Sequence, residues 1–129
     1  MIQVKKIIYT PANIYAMFAT PQIVLAAPPA GYANNILGIS HHLIFNTLAY
    51  TVATVFTYAK TTNPTYYYAT EVVTLPSVNS INTTLLRNLA SATPFTTVED
   101  FKVTTNAAAA TGDSNINAYI IYETKLIDT

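Results

Sequence analysis

Charged residues are missing from a long part of this chain, because no Asp, Glu, Lys or Arg occurs between Lys6 and Lys60. About a quarter of the residues of an ordinary soluble domain are charged, whereas only 9% are charged here. The uncharged stretch is rich in Tyr, Phe, Ile, Leu and Val, which argues against disorder. Its Pro and Gly residues and its alternation of apolar and polar side chains argue against a spanning helix. The stretch is best explained by strands with Thr, Asn and Ser on their outer faces, packed against other subunits.

Cysteine is absent as well. This absence excludes disulfides, thiolate nucleophiles and cysteine-based metal sites. Small secreted domains often carry disulfides, so the composition favours synthesis in the cytoplasm of a producing cell. Lys5 and Lys6 precede an apolar segment as in a signal peptide, but Pro11 and Pro21 interrupt that segment, and no signal peptide is expected.

Clustered basic residues and catalytic motifs are also lacking. The chain has 6 Lys and Arg against 6 Asp and Glu, spread along its length, so phosphate contacts to nucleic acid are not expected. With only 3 glycines, it contains no nucleophile elbow and no Gly-rich phosphate loop. We therefore expect no enzyme activity, no cofactor, no nucleic-acid partner and no membrane partner.

Metal-ligand candidates are few. His41 and His42 are adjacent, and adjacent strand residues point to opposite faces, so we expect one imidazole inside and one outside. The acidic pair Glu99 and Asp100 and the turn at residues 112–115 supply too few oxygens at the right spacing for calcium. No metal site is predicted.

Alternating polarity predicts most of the fold. Apolar residues alternate with polar ones at residues 37–46 and again at residues 117–126. This period of two residues is typical of a half-buried strand. Further strands are indicated at residues 50–60, 66–75 and 101–107. The residues that we expect to point into the core are Leu37, Ile39, Leu43, Phe45, Ile120, Tyr122 and Leu126.

The apolar spacing changes after residue 77. Val78, Ile81, Leu85 and Leu89 follow helical spacing, which predicts one short helix near residues 78–90. The whole pattern predicts an all-β fold, an antiparallel β-sandwich or jelly roll of about six to eight strands. Residues 1–20 are predicted to form an extended N-terminal arm or edge strand, and residues 21–129 a single β-sandwich domain.

Exposed aromatic and apolar residues give the candidate interface. Strand addition by the N-terminal arm to a neighbouring chain or capsid would use its apolar side chains, and the Tyr triplet would contact sister subunits. In the alternative function, a carbohydrate-binding module, the same Tyr residues would stack on sugars. The candidate interface residues are Ile7, Ile8, Tyr9, Ile14, Tyr15, Tyr66, Tyr67 and Tyr68.

Three segments carry a family resemblance. Residues 27–32 form a Pro/Gly hinge before a long strand, residues 43–51 contain a strand, a Thr-containing turn and a Tyr-Thr strand start, and residues 111–122 place a Gly-Asp turn before a closing strand with Tyr. In this layout the chain resembles small jelly-roll-like virion proteins of tailed bacteriophages, of the capsid decoration or head-fibre type.

The resemblance implies a non-enzymatic structural role. It implies a homotrimer that attaches to a capsid or tail protein of the same particle, made in the host cytoplasm and located in the virion. It supplies no functional site residues for this chain.

Overall fold

The computed structural model describes residues 2–51, 56–60, 67–69, 78–85, 100–109 and 111–126. These residues form eight strands and one helix. In chain order the elements are β1 (Ile2–Tyr9), α1 (Pro11–Met17), β2 (Gln22–Leu25), β3 (Tyr32–Ile44), β4 (Phe56–Lys60), β5 (Tyr67–Ala69), β6 (Ser80–Leu85), β7 (Phe101–Thr105) and β8 (Asn115–Leu126).

The strands form two four-stranded antiparallel sheets, ordered β1-β8-β3-β6 and β2-β7-β4-β5. The pairing is nested, since β1 pairs with β8, β2 with β7, β3 with β6 and β4 with β5. Buried side chains from both sheets form one core cluster. The predicted antiparallel β-sandwich is confirmed.

The core follows the period of the strands. In β3 the side chains of Ile39, His41 and Leu43 are buried, while the residues between them are partly exposed. In β7 Phe101 and Val103 are buried on either side of the half-buried Lys102. Alternation of this kind lets one face of each sheet pack inward. The inward positions predicted for Ile39, Leu43 and Ile120 are therefore confirmed.

Leu37 does not lie in the core. The register between β3 and β8 shifts between Ile36 and Gly38, which indicates a β-bulge. A bulge adds one residue to a strand and reverses the faces of the residues before it. Ile36 consequently takes the buried position, and Leu37 is half-buried.

Two other core predictions are wrong for a different reason. Phe45 follows the last residue of β3 and is half-buried. Leu126 is 66% exposed at the end of β8, where the burial pattern shows that the strand extends beyond the covered part of the sheet. Tyr122 lies between these cases, since it is partly buried and packs against the core.

The segment predicted as an extended arm or edge strand contains a strand and a helix. Residues 2–9 are the edge strand β1, and Pro11–Met17 form the helix α1. Thr10 caps this helix: its hydroxyl accepts a hydrogen bond from the Asn13 amide at 3.3 Å, and the Asn13 side chain accepts one from the Thr10 amide at 3.0 Å. This reciprocal cap with Pro11 in the first turn is a strong helix start.

The helix predicted near residues 78–90 is wrong for residues 80–85. These residues form β6, which pairs with the Gly38–Leu43 part of β3; residues 86–90 lie outside the described residues. Asn and Thr are poor helix formers, and β-branched Thr favours strands. The edge of β3 offers a hydrogen-bonding partner, and this outweighs the helical spacing of the apolar residues.

Candidate interaction surface

The face of the β1-β8-β3-β6 sheet that points away from the core is the candidate functional site. We call it the outer face. Strand register and alternation place its members. Its residues are Ile2, Val4, Lys6 and Ile8 of β1, Asn115, Asn117, Tyr119, Ile121, Glu123 and Lys125 of β8, Gly38, Ser40, His42 and Ile44 of β3, and Ile81 of β6.

The outer face carries several exposed apolar residues among polar ones. Single exposed hydrophobic residues are common on protein surfaces, and groups of them mark interaction sites. Val4 lies opposite Ile121, so two apolar residues adjoin there, whereas Asn117 lies opposite Ile8 and Asn115 opposite Ile44. The exposed fractions are 62% for Ile2, 61% for Val4, 50% for Ile8, 46% for Ile44 and 70% for Ile81.

Tyr119 lies at the centre of the outer face and is held by two neighbours. The His42 ring centroid is 4.7 Å from the Tyr119 ring centroid, and the Lys6 ammonium lies 5.9 Å from the same centroid. A cation over an aromatic face is attracted by the ring quadrupole. This contact places one positive charge near the Tyr119 ring.

Glu123 carries the negative charge of the outer face. Its carboxylate lies 3.1 Å from the Lys125 ammonium and accepts a hydrogen bond from the Asn35 side-chain amide at 3.2 Å. The Lys125 contact, with help from Asn35, lowers the pKa of the Glu123 carboxyl. Glu123 is therefore ionised near neutral pH.

An open groove of about 400 Å³ adjoins the outer face where β3 meets β6. Its walls include His42, Ile44 and Ile81 of the outer face, together with Asn79 and Ser80. The groove therefore extends the apolar surface toward the edge of the sheet.

The predicted N-terminal interface residues lie partly in the core and partly on the surface. Tyr9 and Ile14 are buried in the core of this chain, so the prediction that they contact a partner is wrong. Ile7 is partly buried against the same core. Ile8 lies on the outer face, and Tyr15 is exposed on α1, where its hydroxyl donates a hydrogen bond to the Gly112 carbonyl at 2.5 Å.

The predicted Tyr triplet is only partly described. Tyr66 lies outside the described residues. Tyr67 and Tyr68 belong to β5 at the edge of the second sheet, where Tyr68 pairs with Tyr58 and Tyr67 with Ala59; the description does not extend to their side chains. The carbohydrate-binding alternative depended on these rings, and it stays a prediction.

A polar cluster lies inside the sandwich. The Tyr58 hydroxyl is 2.6 Å from His41 Nε2 and 3.0 Å from the Tyr9 hydroxyl. His41 Nδ1 is buried and has no hydrogen-bond partner among the described residues. Burial, and to a smaller extent His42, lowers the pKa of His41 to about 4, so this imidazole is neutral near pH 7.

The polar cluster does not form a reaction site. All three side chains are at most 1% exposed, so a substrate has no access to them. Burial raises the pKa of the Tyr9 and Tyr58 hydroxyls above their usual value. These groups therefore orient one another within the core, and His41 is the inward histidine expected from the sequence while His42 lies outside.

Asp113 accepts hydrogen bonds from a neighbouring loop. Its carboxylate accepts hydrogen bonds from the Thr47 and Leu48 amides at 3.1 Å and 2.8 Å, from the Asn46 side-chain amide at 3.0 Å, and from the Thr47 hydroxyl. The Thr47 hydroxyl and the Leu48 amide are the main causes of the lowered pKa of the Asp113 carboxyl. Residues 112–114 have no regular structure and Asn115 begins β8, so the turn expected at residues 112–115 is not formed as such. Within the described ranges, no group of three or more His, Asp and Glu side chains is placed to hold a metal ion.

The described part of the chain contains no helix that is long and apolar enough to cross a membrane. Comparison of the chain with family models, with curated proteins and with solved structures finds no match. The resemblance to bacteriophage virion proteins therefore stays a prediction, and the outer face is the feature from which function must be argued.

Proposed function

We propose that this protein is a non-enzymatic structural subunit of a bacteriophage particle, of the capsid decoration, auxiliary or head-fibre type. It acts through self-association and through attachment to a capsid or tail protein. The observation that carries this proposal is the apolar outer face. A structural subunit binds its neighbours through exposed apolar residues, whereas surface charge keeps a free monomer soluble.

The composition supports the same proposal. A neutral protein with few charged residues is poorly protected against association, and its formal net charge is zero. In a permanent assembly this composition is normal, because obligate interfaces resemble a domain core. Self-association therefore accounts for the uncharged stretch and for the outer face together.

The strand order supports the resemblance to virion proteins. Nested pairing of eight strands in two four-stranded sheets is the arrangement of a double-sheet jelly roll, an architecture used by viral capsid proteins and by lectins. A fold of this kind hosts several functions. The strand order is thus compatible with a virion role and does not identify it, so the argument depends on the surface.

Native mass spectrometry and light scattering of the purified protein at low micromolar concentration test self-association. We expect an oligomer, and the resemblance implies three copies. A stable monomer under these conditions would overturn the proposal.

Attachment is tested separately on particles purified from producing cells. An antibody against this chain should detect it in the particle fraction after density-gradient centrifugation. Detection only in the unassembled protein fraction would remove the virion part of the proposal and leave self-association standing.

A further inference from the structure

β1 is an edge strand. It pairs with β8 on one side, and no described strand pairs with its other side. The main-chain amide and carbonyl groups that point away from β8 therefore form a row to which an added strand can bond. Residues 2–6 are all exposed, on both faces of the strand, so the free edge of β1 is reachable over most of its length.

β1 differs from the other three edge strands. It has eight residues and pairs with β8 without a register shift. β2 has four residues and a register shift, while β5 has three residues and β6 has six within the described ranges. Natural proteins protect sheet edges by keeping them short or by interrupting them with bulges. β1 is protected in neither way, which makes it the edge best suited to strand addition.

Two lysines determine which strand fits this edge. Lys5 and Lys6 lie in the middle of β1, point to opposite faces and are both exposed. In the described part of the chain neither lysine takes part in an ion pair. Opposite charges in cross-strand positions stabilise a sheet, and like charges destabilise it. A strand added beside β1 therefore fits best when it places two adjacent carboxylates opposite these lysines.

This chain does not supply the matching strand. A second β1 would bring lysines opposite lysines, which opposes pairing. Of the described strands only β8 contains an acidic residue, Glu123, and β8 is already paired on both sides. The charge of the β1 edge therefore selects a segment of another protein.

The apolar residues of β1 complete the pattern. Ile2, Val4 and Ile8 are exposed and lie on the same face as Lys6. Apolar cross-strand pairs stabilise a sheet, so an antiparallel partner strand fits best with apolar residues opposite these three. Along the partner, the matching order is apolar, any residue, acidic, acidic, apolar, any residue, apolar.

We propose that the free edge of β1 binds an extended acidic segment of a partner protein by antiparallel strand addition, with two adjacent carboxylates opposite Lys5 and Lys6. This inference rests on the proposed function, because it names the surface through which the subunit attaches and the chemistry of the partner that it attaches to.

Synthetic peptides test the charge preference on the wild-type protein. A capped, fluorescently labelled peptide of sequence VTEEVTV has the matching order, and VTKKVTV is its control. Fluorescence anisotropy over a protein titration should show saturable binding of VTEEVTV and at least about tenfold weaker binding of VTKKVTV, because like charges oppose cross-strand pairing. No saturable binding of VTEEVTV, or equal binding of the two peptides, would overturn the inference.

Charge exchange places the contact on β1. Lys5→Glu and Lys6→Glu should each weaken binding of VTEEVTV several-fold, and the double variant should bind VTKKVTV more tightly than VTEEVTV. Lys102→Glu is the matched control, because it makes the same charge change in β7, which lies between β2 and β4. It should leave both dissociation constants unchanged. Circular dichroism verifies that each variant is folded, and equal effects of the three single variants would contradict a contact at the β1 edge.

Backbone methylation tests strand addition itself. In an antiparallel pair, alternate residues of the added strand hydrogen-bond to the edge. Two versions of VTEEVTV, N-methylated at one or the other set of alternate residues, should therefore differ, with one losing binding to the wild-type protein and the other retaining it. Equal effects of the two methylation patterns would exclude strand addition.

The outcomes separate this inference from the proposed function. If VTEEVTV does not bind while the chain is present in purified particles, the acidic-strand contact is wrong and the proposed function stands. If VTEEVTV binds with the expected methylation pattern while the chain is absent from particles, the edge contact stands and the virion role falls.

Discussion

The two faces of the β1-β8-β3-β6 sheet both carry apolar residues and differ in what covers them. The inner face packs against the second sheet and α1, whereas the outer face has no described element packed on it. Many inner residues are almost fully buried, whereas several outer residues are about half exposed or more. Buried inner residues are Tyr9, Ile39, Leu43, Ile116, Ala118 and Ile120, and exposed outer residues are Ile2, Val4, Ile8, Ile44 and Ile81.

The comparison shows that apolar composition does not by itself decide which side of a strand is the core. A face of the sheet is buried only where another element packs on it. The second sheet covers only one face of the β1-β8-β3-β6 sheet. An apolar face without an internal neighbour is then available to an external one. Substitutions that affect the two faces differently test this distinction.

The largest difference is expected between two isoleucines of β3. Ile39 is fully buried and Ile44 is 46% exposed. Ile39→Ala should lower the free energy of unfolding by about 2–5 kcal/mol, because it leaves a cavity in the core. Ile44→Ala should change it by no more than about 0.5 kcal/mol. Urea denaturation of both variants in the same oligomeric state measures the contrast, and equal losses would mean that the outer face is already covered within the chain.

Buried His41 should make the stability of the fold sensitive to acid. Burial lowers the pKa of His41 to about 4, below the value of about 6.5 for an unfolded histidine. The unfolded chain therefore binds a proton first, so the contribution of His41 is complete above about pH 6.5 and is lost as pH falls toward 4. The expected slope is about 1.4 kcal/mol per pH unit within this window.

Unfolding of His41→Gln and His42→Gln between pH 4.5 and 7 separates the two imidazoles. The slope should largely disappear in His41→Gln and persist in His42→Gln, because His42 lies on the outer face. A slope that survives in His41→Gln would assign the acid sensitivity to other groups.

The smallest difference concerns two tyrosine hydroxyls. Tyr9 contacts Tyr58 inside the sandwich at 3.0 Å, and Tyr119 lies on the outer face. Tyr9→Phe should cost about 0.5–1.5 kcal/mol through a lost buried hydrogen bond, and Tyr119→Phe should be close to neutral for unfolding. Thermal denaturation of the two variants provides the comparison, and a larger loss for Tyr119→Phe would reverse our assignment of the faces.

Sequence patterns predicted the sandwich and many of its inward positions because strand alternation is a local signal. The bulge at Leu37 was missed, although Gly38 next to it is the kind of residue that often accompanies a bulge. The cap at Thr10, Pro11 and Asn13 also lies in the sequence, yet its segment was interpreted as extended. The strand β6 was missed because helical apolar spacing carries no information about a hydrogen-bonding partner distant in sequence.

The outer face also left a signal in the sequence. Adjacent strand residues point to opposite sides, so two neighbouring apolar residues in a strand place one of them outside. Such doublets occur at Ile7 and Ile8, at Leu43 and Ile44, and at Ile120 and Ile121. They lie on β1, β3 and β8, which adjoin one another in the sheet.

Nested strand pairing has a consequence for how the chain acquires its structure during synthesis. The β1–β8 ladder joins Ile2 to Glu123, so the ribosome must add residue 123 before β1 can pair along its full length. The β4–β5 hairpin joins residues close in sequence, and its loop-closure entropy is smaller. Loop closure therefore favours early pairing of β4 with β5 and late pairing of β1 with β8. On the proposed function, assembly through the outer face would wait for the pairing of β1, whose outward residues include Val4 and Lys6, and this delay would limit aggregation of nascent chains.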